Sequence, residues 1–291
     1  MLRKLLCATD FSPGSEHALG LAARIAAETS AELVVAHVWH VPPIGFDDYP
    51  VSSDALQQML ADVDRELAAA AARARAFGVA HVSTRVLDGV PWTSIVDAAR
   101  DDASLDLIVI GTRGRTGFTR WVLGSVAEHV VRSAPCSVLV ARGRGEHTPF
   151  AHVACAVDFS EQSREAVRQA AQLAAPGLEG LSLVHVVQRP ELPRADIARE
   201  LVVDLDRRAG LELERWAAAI EPRPRVAVRC DVRVGDPASE VLAAVEADDT
   251  IDLIAVGSRG RTGLQRMLLG SVAEKIVRNA PVPVLVARRR P

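Results

Sequence analysis

Residues 105–117 have the sequence LDLIVIGTRGRTG, in which a branched apolar run leads directly into a loop with three glycines. The run 105–110 is typical of a strand that is buried on both faces of a parallel sheet. Nine residues after Gly114, Gly124 and Ser125 open an amphipathic stretch that predicts a helix. A strand, a glycine loop and a helix N-terminus in this order predict an α/β fold with a site at the strand's carboxyl end.

The chain contains this arrangement twice. Residues 111–142 match residues 257–288 at 22 of 32 positions by direct count, and LCATDFS at 6–12 returns as ACAVDFS at 154–160. A repeat of this length is a whole domain rather than a solenoid unit, and 291 residues are enough for two domains. We predict domain one at 1–142, a glycine-containing linker at 143–150 and domain two at 151–291.

Within each copy, apolar runs alternate with amphipathic stretches. In the first copy this pattern predicts strands at 5–9, 32–39, 82–87, 105–110 and 137–141. Helices are predicted after the Ser12 cap and at 54–77, 91–100 and 125–132. Each copy is therefore predicted to be a doubly wound, Rossmann-like α/β domain with five parallel strands, whose ligands bind beyond the carboxyl ends of the strands.

Composition excludes several classes of protein. Hydrophobic residues make up 49% and charged residues 24% of the chain, which is ordinary for a globular protein. The net charge of −3 gives no basic field for nucleic acid, and no apolar run reaches the ~18 residues of a membrane span. The four cysteines contain no C-x-x-C pair. We expect a cytoplasmic protein with neither a nucleic-acid nor a membrane partner.

The glycine loop has two interpretations. Glycines let backbone N–H groups approach an anion, and a helix N-terminus adds unpaired donors, so the loop is suited to phosphate. Three arginines add positive charge nearby: Arg113, Arg115 and Arg120. The alternative is structural, because residues 125–128 and 271–274 both read S-V-A-E, a capping box that satisfies the helix's own donors. The residues alone leave both interpretations open.

No catalytic or metal-binding residue is predicted. Ser12 and Ser160 have no base at a recognisable spacing, and no carboxylate pair marks a metal site. The two lysines, Lys4 and Lys275, are poorly placed to act on a phosphate held by the loop.

The pattern G-x-x-G, nine residues, then G-S occurs in both copies. Together with Asp10-Phe11-Ser12 after strand one and His37-Val38 in strand two, it resembles the ATP-binding signature of the universal stress protein family, in its tandem-domain form. The resemblance covers essentially the whole chain. It implies strand order 3-2-1-4-5 in each domain, with an adenine nucleotide lying across the strand ends.

The resemblance also implies the residues that surround each nucleotide. In the first copy these are Ala8, Thr9, Asp10, Val38, Gly111, Thr112, Arg113, Gly114, Arg115, Gly124, Ser125 and Val126. In the second copy they are Ala156, Val157, Asp158, Val186, Gly257, Ser258, Arg259, Gly260, Arg261, Gly270, Ser271 and Val272. The aspartates would hold the ribose hydroxyls, the valines would meet adenine, and the glycine loops and helix starts would hold the phosphates. Mg or Mn bridging the phosphates belongs to the implied ligand.

Two positions depart from the family pattern. Ala8 stands where ATP-binding relatives often have proline, and Val157 replaces the hydroxyl that Thr9 offers in the first copy. The second site is therefore expected to contact its nucleotide differently. The family also pairs domains through the fifth strand, which implies that residues 138–141 and 284–287 meet within one chain, and a homodimer of such chains is a further implied partner.

These features predict an ATP-binding, regulatory protein of the stress response rather than an enzyme. One alternative is a slow ATP-hydrolysing or nucleotidyl-transfer enzyme of the same superfold. The other is a nucleotide-free interaction module whose glycine loops are only capped turns.

Overall fold

The computed structural model describes residues 2–39, 53–112, 123–142, 150–174, 177–188, 195–220, 226–260 and 269–289. The chain divides into two units, Met1–Ala141 and Arg142–Pro291. Most of the predicted linker, residues 143–149, lies outside the described residues.

The first unit is a parallel sheet with helices between its strands. Its strands are β1 (Lys4–Thr9), β2 (Glu32–Trp39), β3 (Val82–Asp88), β4 (Leu107–Gly111) and β5 (Ser137–Ala141). Its helices are α1 (Pro13–Thr29), α2 (Ser53–Ala76), α3 (Pro91–Asp101) and α4 (Ser125–Ser133). The strands lie in the order β3-β2-β1-β4-β5. The direction of winding reverses beside β1, so the ends of β1 and β4 form the crevice where such sheets bind ligands.

The second unit repeats this architecture. Its strands are β6 (His152–Val157), β7 (Gly180–Val187), β8 (Ala227–Val234), β9 (Leu253–Gly257) and β10 (Val284–Ala287). Its helices are α5 (Glu161–Leu173), α6 (Ala195–Ala219), α7 (Pro237–Ala247) and α8 (Ser271–Asn279). Within this unit the order is β8-β7-β6-β9-β10. The predicted α/β fold and its 3-2-1-4-5 order are therefore confirmed in each unit.

The helix boundaries follow from local chemistry. The Ser12 hydroxyl caps α1 by accepting a hydrogen bond from Ser15 N at 3.3 Å, and Pro13 follows at the first helical position. Ser160 caps α5 in the same way, with Ser163 N at 3.1 Å. In the described ranges, no helix is both long and apolar enough to cross a bilayer.

Several predicted boundaries differ from the structure by one residue, and the predicted start of β4 is two residues too early. The apolar run 105–110 predicted a strand from Leu105, but β4 begins at Leu107. Leu105 N donates to Asp102 O at 3.2 Å, so this residue closes the turn after α3 instead of joining the sheet.

Cysteines occupy equivalent core positions in the two units. Cys7 in β1 and Cys155 in β6 are both 0% exposed. Burial raises the pKa of each thiol to about 12, so both stay protonated at neutral pH. They act as small apolar groups, as their apolar sequence context predicted.

Gly257, at the end of β9, packs against the start of α5. A Cβ atom there would lie 2.9 Å from the carbonyl carbon of Gln162, whereas a Cβ on Gly210 in α6 would meet nothing within 4 Å. We expect Gly257→Ala to lower the free energy of unfolding by about 1–3 kcal/mol through overpacking. Gly210→Ala should raise it by about 0.5–1 kcal/mol because alanine favours the helix. Urea denaturation measures both, and equal effects would contradict the packing role.

Candidate functional site

A cavity of about 1080 Å³ lies at the carboxyl ends of the strands of the second unit. This volume slightly exceeds the usual range of small-molecule sites, about 300–1,000 Å³. Ten residues that the sequence predicted for the second site line it: Ala156, Val157, Asp158, Val186, Gly257, Arg259, Gly260, Gly270, Ser271 and Val272. Ser258 is 3% exposed and is not among the lining residues, and Arg261 lies outside the described residues. The strand ends, the glycine loop and the start of α8 therefore meet around one space.

The first unit places its predicted residues at the equivalent edge. Ala8, Thr9 and Asp10 lie at the end of β1, with Thr9 in register with His37 and Ala8 in register with Ile110. The remaining described members lie in β2, at the end of β4 and at the start of α4: Val38, Gly111, Thr112, Gly124, Ser125 and Val126. Arg113, Gly114 and Arg115 lie outside the described residues, as does Arg120.

The capping-box interpretation of the helix starts is wrong. The N-cap residues are Gly124 in α4 and Gly270 in α8, both with extended backbone and no side-chain cap hydrogen bond. Ser125 and Ser271 are already the first helical residues, one position too late to cap. Glycine has no side chain that could accept hydrogen bonds from the backbone N–H groups of the first helical turn. The cap residue therefore leaves these donors to another acceptor.

A backbone hydrogen bond fixes each helix start beside the glycine loop. Gly124 N donates to Thr112 O at 2.7 Å, and Gly270 N donates to Ser258 O at 2.9 Å. The accepting residue follows directly after β4 or β9 in each case. The helix N-terminus is therefore held next to the strand end in each unit.

The turn after the first strand of each unit holds an aspartate in a fixed position. Asp10 Oδ1 accepts from Ser12 N at 3.1 Å and from Ser12 Oγ at 2.6 Å. Asp158 makes the same two bonds to Ser160, at 3.1 and 2.5 Å. A Cβ on Gly260 would lie 2.8 Å from Asp158 Oδ2, so the backbone of Gly260 passes close to this carboxylate.

Gly111 has a packing role that the sequence did not reveal. A Cβ there would lie 2.6 Å from Gly14 O, at the start of α1. Only glycine lets this strand end and that helix pack together. A ligand contact is therefore not needed to explain the residue, although it lies beside the predicted site.

One wall of the cavity was missed by sequence reasoning. α6 contributes Leu205, Arg208, Ala209, Leu211, Glu212 and Arg215 to the lining. Arg215 pairs with Glu212 at 3.0 Å and Arg208 with Asp204 at 2.7 Å, spacings that are typical of any solvated helix face. No sequence signal distinguishes this wall from such a face.

Lys275 is not among the residues that line the cavity of its unit, and in the first unit Lys4 stands at the start of β1. Lys4 Nζ bridges Glu32 and Asp102 at 3.2 and 3.1 Å, at the opposite end of β1 from Asp10. A hydrogen bond from the Ser104 hydroxyl, with help from Lys4, lowers the pKa of Asp102 to about 2. Lys275 pairs with Asp236 at 3.3 Å. Among the described residues, no three His, Cys, Asp or Glu side chains form a metal-binding group.

The universal stress protein family model matches residues 1–142 and again residues 149–288. The chain belongs to this family. Universal stress protein Rv2005c of Mycobacterium tuberculosis is 31% identical over 223 residues, covering 72% of this chain and 69% of the relative. Universal stress protein Rv2623 of the same organism is 28% identical over 304 residues, covering 98% of this chain and 96% of that protein.

A solved universal stress protein from Archaeoglobus fulgidus has the same fold. The two structures superpose with a TM-score of 0.70 over 99% of each chain, at 24% sequence identity. At this level of identity, the comparison concerns the architecture and not the site. The tandem arrangement of two family domains agrees with the repeat in the sequence.

The Thr9 hydroxyl supports the aspartate turn of the first unit. Thr9 is 6% exposed, and its Oγ1 accepts from Phe11 N at 3.0 Å and donates to Ser15 Oγ at 3.1 Å. Thr9→Val keeps the shape but removes this acceptor, so we expect the free energy of unfolding to fall by about 1 kcal/mol.

The matched control for Thr9→Val is the reciprocal change in the second unit, Val157→Thr. It introduces a hydroxyl near the equivalent turn and should not destabilise the protein. Urea denaturation of both variants checks this expectation, and an unchanged free energy of unfolding for Thr9→Val would show that the hydroxyl does not support the turn.

Proposed function

We propose that each unit binds one ATP at the carboxyl ends of its strands, and that the chain is a regulatory, nucleotide-binding protein of the stress response. The observation that carries this proposal is the start of α4 and α8. Each helix begins at a glycine without a side-chain cap, and a backbone hydrogen bond ties that glycine to the residue that directly follows the strand. Such a helix N-terminus offers backbone donors and the positive end of a dipole to an anion.

The cavity of the second unit offers a partner for each part of the nucleotide. Gly270, Ser271 and Val272 line it at the helix start, where the phosphates would bind, and Arg259 adds a cation. Asp158 is an acceptor for the ribose hydroxyls. The adenine would lie against Val186, whose strand supplies backbone donors and acceptors.

The carboxylates at the cavity support binding rather than rapid turnover. Asp158 accepts two hydrogen bonds from Ser160, and Glu212 is paired with Arg215 at 3.0 Å. Fast phosphoryl transfer needs a group that orients the attacking nucleophile. In this proposal Asp158 holds the ribose, and Glu212 is paired with Arg215. A divalent ion would enter with the phosphates, since the described residues present no ligand set of their own.

The assembly and the location of the protein stay predictions. The pairing of residues 138–141 with residues 284–287, a homodimer of two-domain chains and a cytoplasmic location all follow from the sequence and its resemblance. None of them is needed for nucleotide binding by a single unit.

The double variant Gly124→Asp, Gly270→Asp tests the phosphate site directly. Aspartate is a good N-cap, and its carboxylate would accept from the N–H groups that the phosphates need. Each charge-assisted hydrogen bond contributes about 1.5–3 kcal/mol, so losing two at a site should weaken ATP binding more than about 100-fold. The free energy of unfolding should stay equal or rise, because a negative charge at a helix N-terminus stabilises by about 0.3–1 kcal/mol. Isothermal titration and urea denaturation measure the two quantities.

The matched control is Gly124→Asn, Gly270→Asn, which has the same shape and capping ability without the charge. We expect it to weaken ATP binding less than the aspartate pair does. A Cβ on Gly270 would meet Arg259 Cα at 3.5 Å, which is an ordinary contact, so a Cβ atom is tolerated at this position. Unchanged ATP affinity in the aspartate variant would rule out the phosphate site and leave the interaction-module alternative.

A further inference from the structure

A histidine ring packs against a phenylalanine ring beside the aspartate turn in both units, stacked in the first unit and tilted by 32° in the second. The rings of Phe11 and His37 lie 4.6 Å apart, and those of Phe159 and His185 lie 4.4 Å apart. Both members of the second pair line the cavity. The pair occurs in both units although Val157 stands in the second unit where the first has Thr9. The contact between the two rings therefore does not depend on the Thr9 hydroxyl.

Each histidine is hydrogen-bonded to the residue before the aspartate. His37 Nδ1 lies 2.8 Å from Thr9 O, and His185 Nδ1 lies 2.7 Å from Val157 O. A carbonyl oxygen only accepts, so Nδ1 carries the proton in both rings. The bond therefore anchors the backbone at the peptide that leads into Asp10 or Asp158.

The residue after the aspartate is held in a strained conformation. Phe11 and Phe159 both have φ of 62°, a left-handed backbone that residues with a Cβ atom rarely adopt. Such conformations persist where the surroundings fix them, and they concentrate at functional sites. In the second unit the ring of Phe159 lies against His185 on one side and meets the edge of Trp216 at 5.6 Å on another.

We propose that His37 and His185 are positioning residues for ribose recognition by Asp10 and Asp158. Each histidine fixes the carbonyl before the aspartate through Nδ1, and fixes the phenylalanine after it through the contact between the two rings. The carboxylate between them is then held facing the glycine loop, where Asp158 Oδ2 lies 2.8 Å from the Cβ position of Gly260. This inference rests on the proposed ATP site, because it concerns how the aspartate of that site is aimed.

The proposal predicts how loss of the histidine changes the preference between two nucleotides. If the histidine aims the carboxylate at the ribose, its loss should weaken the preference for a ligand with ribose hydroxyls over one without them. A merely structural histidine would lower the affinities for both ligands by the same factor. The ratio of the two affinities therefore separates positioning from general support of the fold.

The experiment uses the full chain carrying Gly124→Asp, so that only the second site binds. ATP and 2′,3′-dideoxy-ATP are titrated into this parent, into parent plus His185→Phe and into parent plus His185→Asn. The Phe variant keeps a ring for Phe159 but has no donor for Val157 O, whereas Asn keeps an amide donor near the Nδ1 position. We expect the parent to prefer ATP by about tenfold, the Phe variant to lose most of this preference and the Asn variant to retain more of it.

The outcomes separate the inference from the proposed function. A parent that does not bind ATP overturns the proposed function. A parent that binds both nucleotides equally, or a Phe variant that weakens both by the same factor, overturns the positioning role while the ATP site stands. Circular dichroism checks folding. If His185→Phe does not fold, Phe159→Gly removes the ring contact with His185 while tolerating the left-handed backbone, and the same loss of preference is expected.

Discussion

The hydrogen bond from Gly270 N to Ser258 O, and its counterpart from Gly124 N to Thr112 O, fix a helix N-terminus at the end of a buried strand. Because the helix begins at glycine, no side chain at the cap competes for the donors of the first turn. The doubly wound order then brings the end of the first strand, with its aspartate turn, to the same edge. Polar groups from separate elements of the chain thus surround one cavity in the second unit.

Glycine has two distinct roles around this edge. At Gly111 and Gly257 it permits close packing, since a Cβ would lie 2.6 and 2.9 Å from the backbone at the start of α1 and α5 respectively. At Gly124 and Gly270 it leaves a helix start without a cap. The first role concerns stability and the second concerns ligands. Substitutions at Gly111 or Gly257 are therefore expected to lower the free energy of unfolding, whereas substitutions at Gly124 or Gly270 are expected to weaken ATP binding.

Much of the fold could be predicted from the sequence because its signals are local and repeated. Branched apolar runs gave the strands, and the tandem copies confirmed one another. The capping-box interpretation was wrong although S-V-A-E has the spacing of a capping box. The N-cap is the glycine one residue earlier, so the serine is already inside the helix. The α6 wall could not be predicted, because Arg215 and Glu212 pair as on any exposed helix. No residue propensity predicts the left-handed backbone of Phe159. The sequence did show that Phe11 and His37 recur in the second copy, as Phe159 and His185, at the same offset.

The stoichiometry of ATP binding tests the central claim most directly. Purified full-length protein, freed of any co-purified nucleotide, is titrated with ATP in the presence of Mg²⁺ by calorimetry. We expect two ATP molecules per chain, one for each uncapped helix start, with affinities that differ because Val157 replaces Thr9 in the second unit. A single site would contradict the equivalence of the two glycine loops, and no binding at millimolar ATP would contradict the assignment of these helix starts to phosphate.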